Sequence, residues 1–353
     1  MRQVGELHRL ALAWGAVGLI GFLSSANPAM ACLACIAMPA ESLSDKVDAA
    51  EVVALLRPAQ DDPFRYVAID LLKGDGVPEA VPFLVSRLRA AELAADPEAS
   101  VVATWSRVSG WAIHDFGTRA LAATLSDLLA RDLSSPEARR DAFGPLVDHA
   151  DPAIARMAMV ELATLPYPFL RTTEARIDRQ EVARLVADPL WSEWAPVAII
   201  LLGLSDDIAD RAFIQRATEL TARSGRTAHL AAWATALIEA DGVPGIDWVV
   251  ATYISDTARS DTEQREAILA LASHAARSDD TGRAVRETLA GLAAGHPALA
   301  AALAQSMTKR QDWSLAAEAV RWRDATTIIA PADAFLLTTY ILAAEAAQPE
   351  SLP

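Results

Sequence analysis

Cysteine is nearly absent from this chain: its 353 residues hold two, Cys32 and Cys35. So small a number excludes a disulfide-dense secreted scaffold and leaves packing to hold the fold together. Lysine is almost missing too, with Lys46, Lys73 and Lys309 only, so arginine carries most of the positive charge. That bias fits a GC-rich bacterial genome. The formal net charge is −15, and no basic stripe is present to meet nucleic-acid phosphates or an anionic membrane surface. The longest uncharged apolar run, Leu10–Leu23, has 14 residues, short of the roughly 20 that cross a bilayer. No transmembrane span is therefore expected in the mature chain.

Complete catalytic motifs are missing as well. Of the six histidines, His8, His114, His149, His229, His274 and His296, none stands in an H-E-x-x-H spacing. Ser109-Gly110 lacks the flanking glycine of a nucleophile elbow. Lys73-Gly74-Asp75-Gly76 lacks the spacing of a phosphate loop and reads as a turn. Asp206-Asp207 and Asp279-Asp280 precede helical runs, where capping explains them and no EF-hand spacing follows. These readings assign no catalytic residue, no cofactor and no metal ligand. A dispersed catalytic site in the groove between the chain's two modules, near His114 or His149, remains a lesser reading, since triads need not be close in sequence.

What is present is an apolar, helix-rich chain: 52% hydrophobic and 22% charged, a globular balance. Arg2 and Arg9 lead into the apolar run, and Ala29-Met30-Ala31 matches an A-x-A cleavage pattern. Residues 1–31 thus read as a signal peptide cleaved after Ala31, which places the mature chain in the periplasm or outside the cell. A lipoprotein signal also ends before a cysteine and is the alternative at Cys32, although Ala29 and Met30 depart from its usual pattern.

Residues 32–117 read as a small β-rich module. Ser42–Ala50 is a short helix capped by Ser42 or Ser44. Glu51–Arg57 is a buried strand closed by Pro58, and Phe64–Leu72 alternates, with Val67, Ile69 and Leu71 on one face. Val81–Val85 is a further candidate strand, and Ala90–Asp96 a short helix or loop. Ser100–Ser106 and Gly110–Phe116 form a hairpin across which Trp105 and Trp111 pair. The cysteine pair, the short helix, "AEVVALLRP", "FRYVAIDLLKGDG" and the late hairpin together resemble the netrin-like/TIMP-like family, an OB-type barrel. The chain departs from that family in having Cys-x-x-Cys for Cys-x-Cys and no partner cysteines.

Residues 118–348 read as helices, with 349–353 a tail. Asp151–Leu165 (DPAIARMAMVELATL) sets the pattern: Asp151 caps, Pro152 suits the first position, and Ile154, Met157, Ala158, Leu162 and Leu165 share a face. Trp194–Leu204 is apolar all round and should be the most buried helix. Asp207 or Asp206 and Gly225 bound the next, Asp261-x-x-Gln264 is a capping box for a helix to about Arg277, and Trp313–Trp322 and Pro331–Ala347 finish the array. Ala158, Ala198, Ala232, Ala267 and Ala301 recur at 40, 34, 35 and 34 residues. The stretches "AIARMAMVELATL" and "APVAIILLGL" with this step resemble HEAT repeats. The expected fold class is therefore α+β, mostly α: a HEAT-like right-handed α-solenoid of antiparallel helix pairs behind an OB-like module.

Two groups are singled out for function. Cys32 and Cys35 have three readings: a disulfide tethering the new N-terminus, a redox pair, or an N-terminal binding end. By the TIMP-like resemblance, that end implies a metalloprotease-inhibitor-like mode. Trp313, Arg321, Trp322 and Arg323 are expected to form an exposed Arg–Trp surface for a protein partner in the cell envelope. The leading expectation is an exported, non-enzymatic interaction protein.

Overall fold

The computed structural model describes residues 42–62, 65–76, 81, 93, 95–97, 99–165, 167–188, 194–295, 297–309, 312–325 and 331–347. Residues 1–31, expected to be a signal peptide, lie outside the described residues together with Cys32 and Cys35, as do most of the expected strand Val81–Val85 and of the segment Ala90–Asp96. Among the described residues the architecture is mostly helical, with one antiparallel sheet.

Helix α1 (Leu43–Ala49) opens with a capping box in which Ser42 and Asp45 satisfy each other's backbone N–H. Strands β1 (Val52–Pro58), β2 (Tyr66–Lys73), β3 (Ser100–Ser106) and β4 (Gly110–Gly117) then form a sheet of order β2-β1-β3-β4. Each neighbouring pair is antiparallel. The period of two divides the central strands between two cores. Val53, Leu55 and Val102 join the helical core, whereas Ala54, Leu56, Val101 and Ala103 pack with Tyr66, Val81 and Leu93 on the other face. A strand covered on both faces must be apolar throughout, which is why β1 reads as an unbroken run. Trp105 stands opposite Trp111 in the β3–β4 register, as the hairpin reading requires. In β2 the buried anchor is Tyr66; Ile69 and Leu71 are exposed, because β2 is an edge strand whose ladder with β1 is broken by two register shifts.

The chain passes from β4 through the Thr118 cap into α2 (Arg119–Leu129), then α3 (Pro136–Phe143, capped by Ser135) and α4 (Pro152–Thr164). On α4, Asp151 accepts from Ala153 N and Pro152 stands first, and the five expected apolar residues are buried. Burial extends to Met159, Val160, Glu161 and Ala163, because α2, α3 and β4 crowd the other faces. After the one-turn α5 (Tyr167–Leu170) come α6 (Arg179–Ala187), α7 (Ala195–Gly203), α8 (Ile208–Ser224), α9 (Leu230–Asp241) and α10 (Val243–Val249), which runs into a π turn at Val250–Ile254. The last five are α11 (Asp261–Ser273), α12 (Asp280–Gly295), α13 (Pro297–Lys309), α14 (Ala316–Ala325) and α15 (Pro331–Ala347).

Helix α7 is buried at every position. Asp207 caps α8, and Gly225 ends it in the left-handed conformation that glycine adopts without strain. Several boundaries differ from expectation. The capping box of α11 is Ser260 with Glu263, since Ser260 holds the extended backbone a cap needs, and α11 stops at Ser273 with His274 as its C-cap. Helix α14 begins at Ala316, three residues after Trp313, because the Asp312 side chain takes Ser314 N into a turn first.

Helices α4, α7, α9, α11, α13 and α15 each pack on the next in line. Helices α6, α8, α10, α12 and α14 lie beside them as a second row. Ala158, Ala198, Ala232, Ala267 and Ala301 are all buried in the first row; a small side chain there lets adjacent helices approach. The sheet shares its core with this array, since Val53, Leu55 and Val102 belong to the same cluster as Leu121, Ile154 and Leu162.

Candidate functional site

A carboxylate in an apolar helix is costly unless it is paired, and α9 carries one at Glu239 within LAAWATALIEAD. Its partners come from two other segments. Arg171, just beyond α5, grips both oxygens, with Nε and Nη2 donating at 2.9–3.0 Å. Tyr167 Oη donates at 2.6 Å and Arg277 Nη1 at 2.8 Å to Oε2. Arg277 also grips Asp279, which in turn accepts from Gly282 N at the start of α12. His274, fully buried, stands edge-on to Tyr167 with ring centroids 5.0 Å apart and its Nδ1 3.6 Å from Glu239. The cluster therefore ties α5, α9 and the α11–α12 connection together.

The electrostatics follow from burial and pairing. Burial opposes the ionisation of Glu239, but hydrogen bonds from Arg171 and Tyr167 and the surrounding positive charge hold its pKa below the ordinary value. The Arg277 hydrogen bond holds Asp279 at about 2. Burial pushes the Tyr167 hydroxyl up and His274 down to about 3, so the ring is neutral. A cavity of about 200 Å³ adjoins this cluster, with Arg171, Arg176, Arg211, Asp206 and Glu239 among its walls. Its N–H donors suit a hydrogen-bond acceptor. Two hydroxyls sit at its edge: Ser205 donates to Asp210 at 2.6 Å, and Thr173 accepts from Ala175 N. His274 does not line the cavity, and its Nε2 is directed to Thr235 O. No base is placed to activate either hydroxyl from that ring.

A second buried carboxylate, Glu161 of α4, accepts from Ser44 Oγ at 2.6 Å and Ser44 N at 3.3 Å, and pairs with Arg139 at 3.4 Å. Arg139 reaches Asp45 as well. Glu161 thus meets the N-terminal turn of α1, where a carboxylate complements the exposed N–H groups, and fastens the start of the described chain to the helices. Burial raises its pKa.

No known protein family, curated protein or solved structure matches this chain.

The expected Arg–Trp surface is not formed as such. Trp322 is only 3% exposed, because it follows Ala316 and Ala319 at helical spacing on the face of α14 that enters the core. Arg321 and Arg323 do reach solvent, but they pair with Glu318 and Asp324. Trp313 is half-buried against Tyr340, with ring centroids 5.5 Å apart. His114 bonds Thr104 on the sheet, and His149 accepts from Asp151 N; neither lines the cavity. Among the described residues, no group of three or more His, Cys, Asp or Glu side chains is placed to hold a metal ion, and no helix is long and apolar enough to cross a membrane. The Glu239 and Glu161 clusters escaped sequence reading because their members lie tens of residues apart at no motif spacing. The available signal is an acid within each of two apolar helices, Glu239 and Glu161.

Proposed function

We propose that this chain is an exported, non-enzymatic scaffold that binds a protein partner of the cell envelope through a HEAT-like α-solenoid, fronted by an OB-like module. The observation that carries this reading is the serial packing of α4, α7, α9, α11, α13 and α15 with a second row beside them. Stacks of this kind present long surfaces without needing a catalytic centre. The buried charges are compatible with the same reading, because Glu239, Arg171, Arg277 and Asp279 satisfy one another and so tie helices together. Export rests on the Arg2/Arg9 leader and the Ala29-Met30-Ala31 pattern. The OB-like reading rests on the antiparallel order β2-β1-β3-β4 and the Tyr66–Val81 bridge.

The test is cross-linking in cells with this chain as bait, followed by titration of the purified partner. A saturable complex that is weakened by charge reversal on the exposed face of the stack supports the reading. A purified chain that binds no protein and turns over a small-molecule substrate overturns it.

A further inference from the structure

Helix α15 is the last of the first row, and its outer face is unlike that of an ordinary surface helix. Leu337, Tyr340, Ile341 and Ala344 are buried against α13 and α14. On the opposite side, Ala332, Phe335, Thr339, Leu342 and Ala346 are all exposed, Phe335 by 69% and Leu342 by 58%. Their spacing is 3-4-3-4, the seam of a coiled coil. The only charges in the 17 residues of α15 are Asp333 and Glu345, and neither stands on the seam. A solvent-facing helix ordinarily carries a polar outer face; this one carries an uncharged, mostly apolar stripe on a chain of net charge −15.

The stripe also complements itself. An antiparallel two-fold axis passing between positions 340 and 341 sets Phe335 of one copy against Ala346 of the other, and Leu342 against Thr339. Each of the four layers then pairs a large side chain with a small one, as close packing across a seam requires. A two-fold contact demands this reciprocity, in which residue i meets j and j meets i. Charge argues the same way. Two copies this acidic repel each other broadly, and the repulsion is least at a face that bears no carboxylate on its seam.

We propose that α15 is a homodimerisation surface and that its occupant is α15 of a second copy, antiparallel and in this register. A helix of this length spans about 25 Å. One such pair covers less than the roughly 1,200 Å² of a stable complex, so the dimer is weak and concentration-dependent. The proposal does not depend on the scaffold reading, because its test needs no partner protein.

The experiment is sedimentation equilibrium on the chain as the cell produces it, over a broad concentration range. The wild type should shift from monomer to dimer. Leu342→Glu places a carboxylate against Thr339 of the other copy twice over and should weaken the dimer by roughly tenfold or more. Its circular dichroism and unfolding midpoint should not change, since Leu342 is already exposed. The double variant Thr339→Lys/Leu342→Glu pairs the two charges across the axis and should restore the dimer. A wild type that stays monomeric, a dimer indifferent to Leu342→Glu, or a double variant no stronger than the single one each overturns the proposal.

Discussion

The backbone of Gly203 on α7 lies so close to α9 that a Cβ added there would stand 2.8 Å from the Cα of Ala236. No real Cβ sits that near a backbone atom, so one of the two helices would have to move. The contact is made where α7, buried throughout, meets the middle of the array.

Gly203→Ala should accordingly destabilise the protein, although alanine is the better helix former. Overpacking of a well-filled core costs about 1–3 kcal/mol. Urea unfolding should show a lower midpoint at an unchanged slope; a midpoint equal to or above that of the wild type would show that the interhelical gap yields freely.

Replacing Glu239 with alanine would strip Arg171 of its carboxylate partner and leave Arg277 with Asp279 alone. Removing one partner of a buried ion pair costs about 3–5 kcal/mol. The coupling is reciprocal, so Arg171→Met should cost much less in the Glu239→Ala background than in the wild type. A double-mutant cycle by chemical denaturation checks this, and additive losses would deny the network.

The acid limb of stability should begin with His274. Burial holds its folded pKa at about 3 against an ordinary 6.5, so between those values the unfolded state binds the extra proton. Stability then falls as pH falls from about 6.5, at up to about 1.4 kcal/mol per pH unit. Glu239 and Asp279 have lowered folded pKa values and add a loss of the same sign below the ordinary carboxylate range. Glu161 has the opposite sign: burial raises its pKa, so its contribution is present at low pH and lost as pH rises through the raised value. Unfolding titrations from pH 7 to 4 should show a shallower slope for His274→Gln, and Glu161→Gln should remove the loss on the higher-pH side. A His274→Gln slope identical to wild type would rule out a neutral buried ring.

The three residues Arg321, Trp322 and Arg323 should separate cleanly. Trp322 is a core side chain, and its truncation to alanine should cost about 3–5 kcal/mol. Arg321→Ala and Arg323→Ala break exposed pairs and should change stability by no more than about 0.5 kcal/mol. Thermal unfolding of the three variants checks this; a mild effect at Trp322 would return it to the surface.

Local signals were strong along this chain. Asp151-Pro152, Asp207 with Gly225, and Pro331 mark helix ends through backbone chemistry that acts within one turn, and these boundaries hold. The capping box of α11 stands one residue before the expected one because Ser260-Asp261 offers two caps in succession, and only the backbone angle of Ser260 chooses between them. Trp322 stands among Arg321, Arg323 and Asp324, a neighbourhood that in sequence looks like surface. Helical geometry nonetheless turns position 322 inward with Ala316 and Ala319.

By itself the sequence determined most of the helices and strands though not all of their bounds, which positions are apolar, and the step of about 35 residues at which small residues return. Those properties come from turn chemistry and from periods of 3.6 and 2, which neighbouring residues settle among themselves. Tertiary structure alone decided that Glu239 would meet Arg171 and Arg277 and that Glu161 would hold α1. It also decided that α15 would leave Phe335 and Leu342 uncovered. Pairings between residues 38 to 117 positions apart depend on how whole helices stack. No local rule records which face of a helix will find a neighbour.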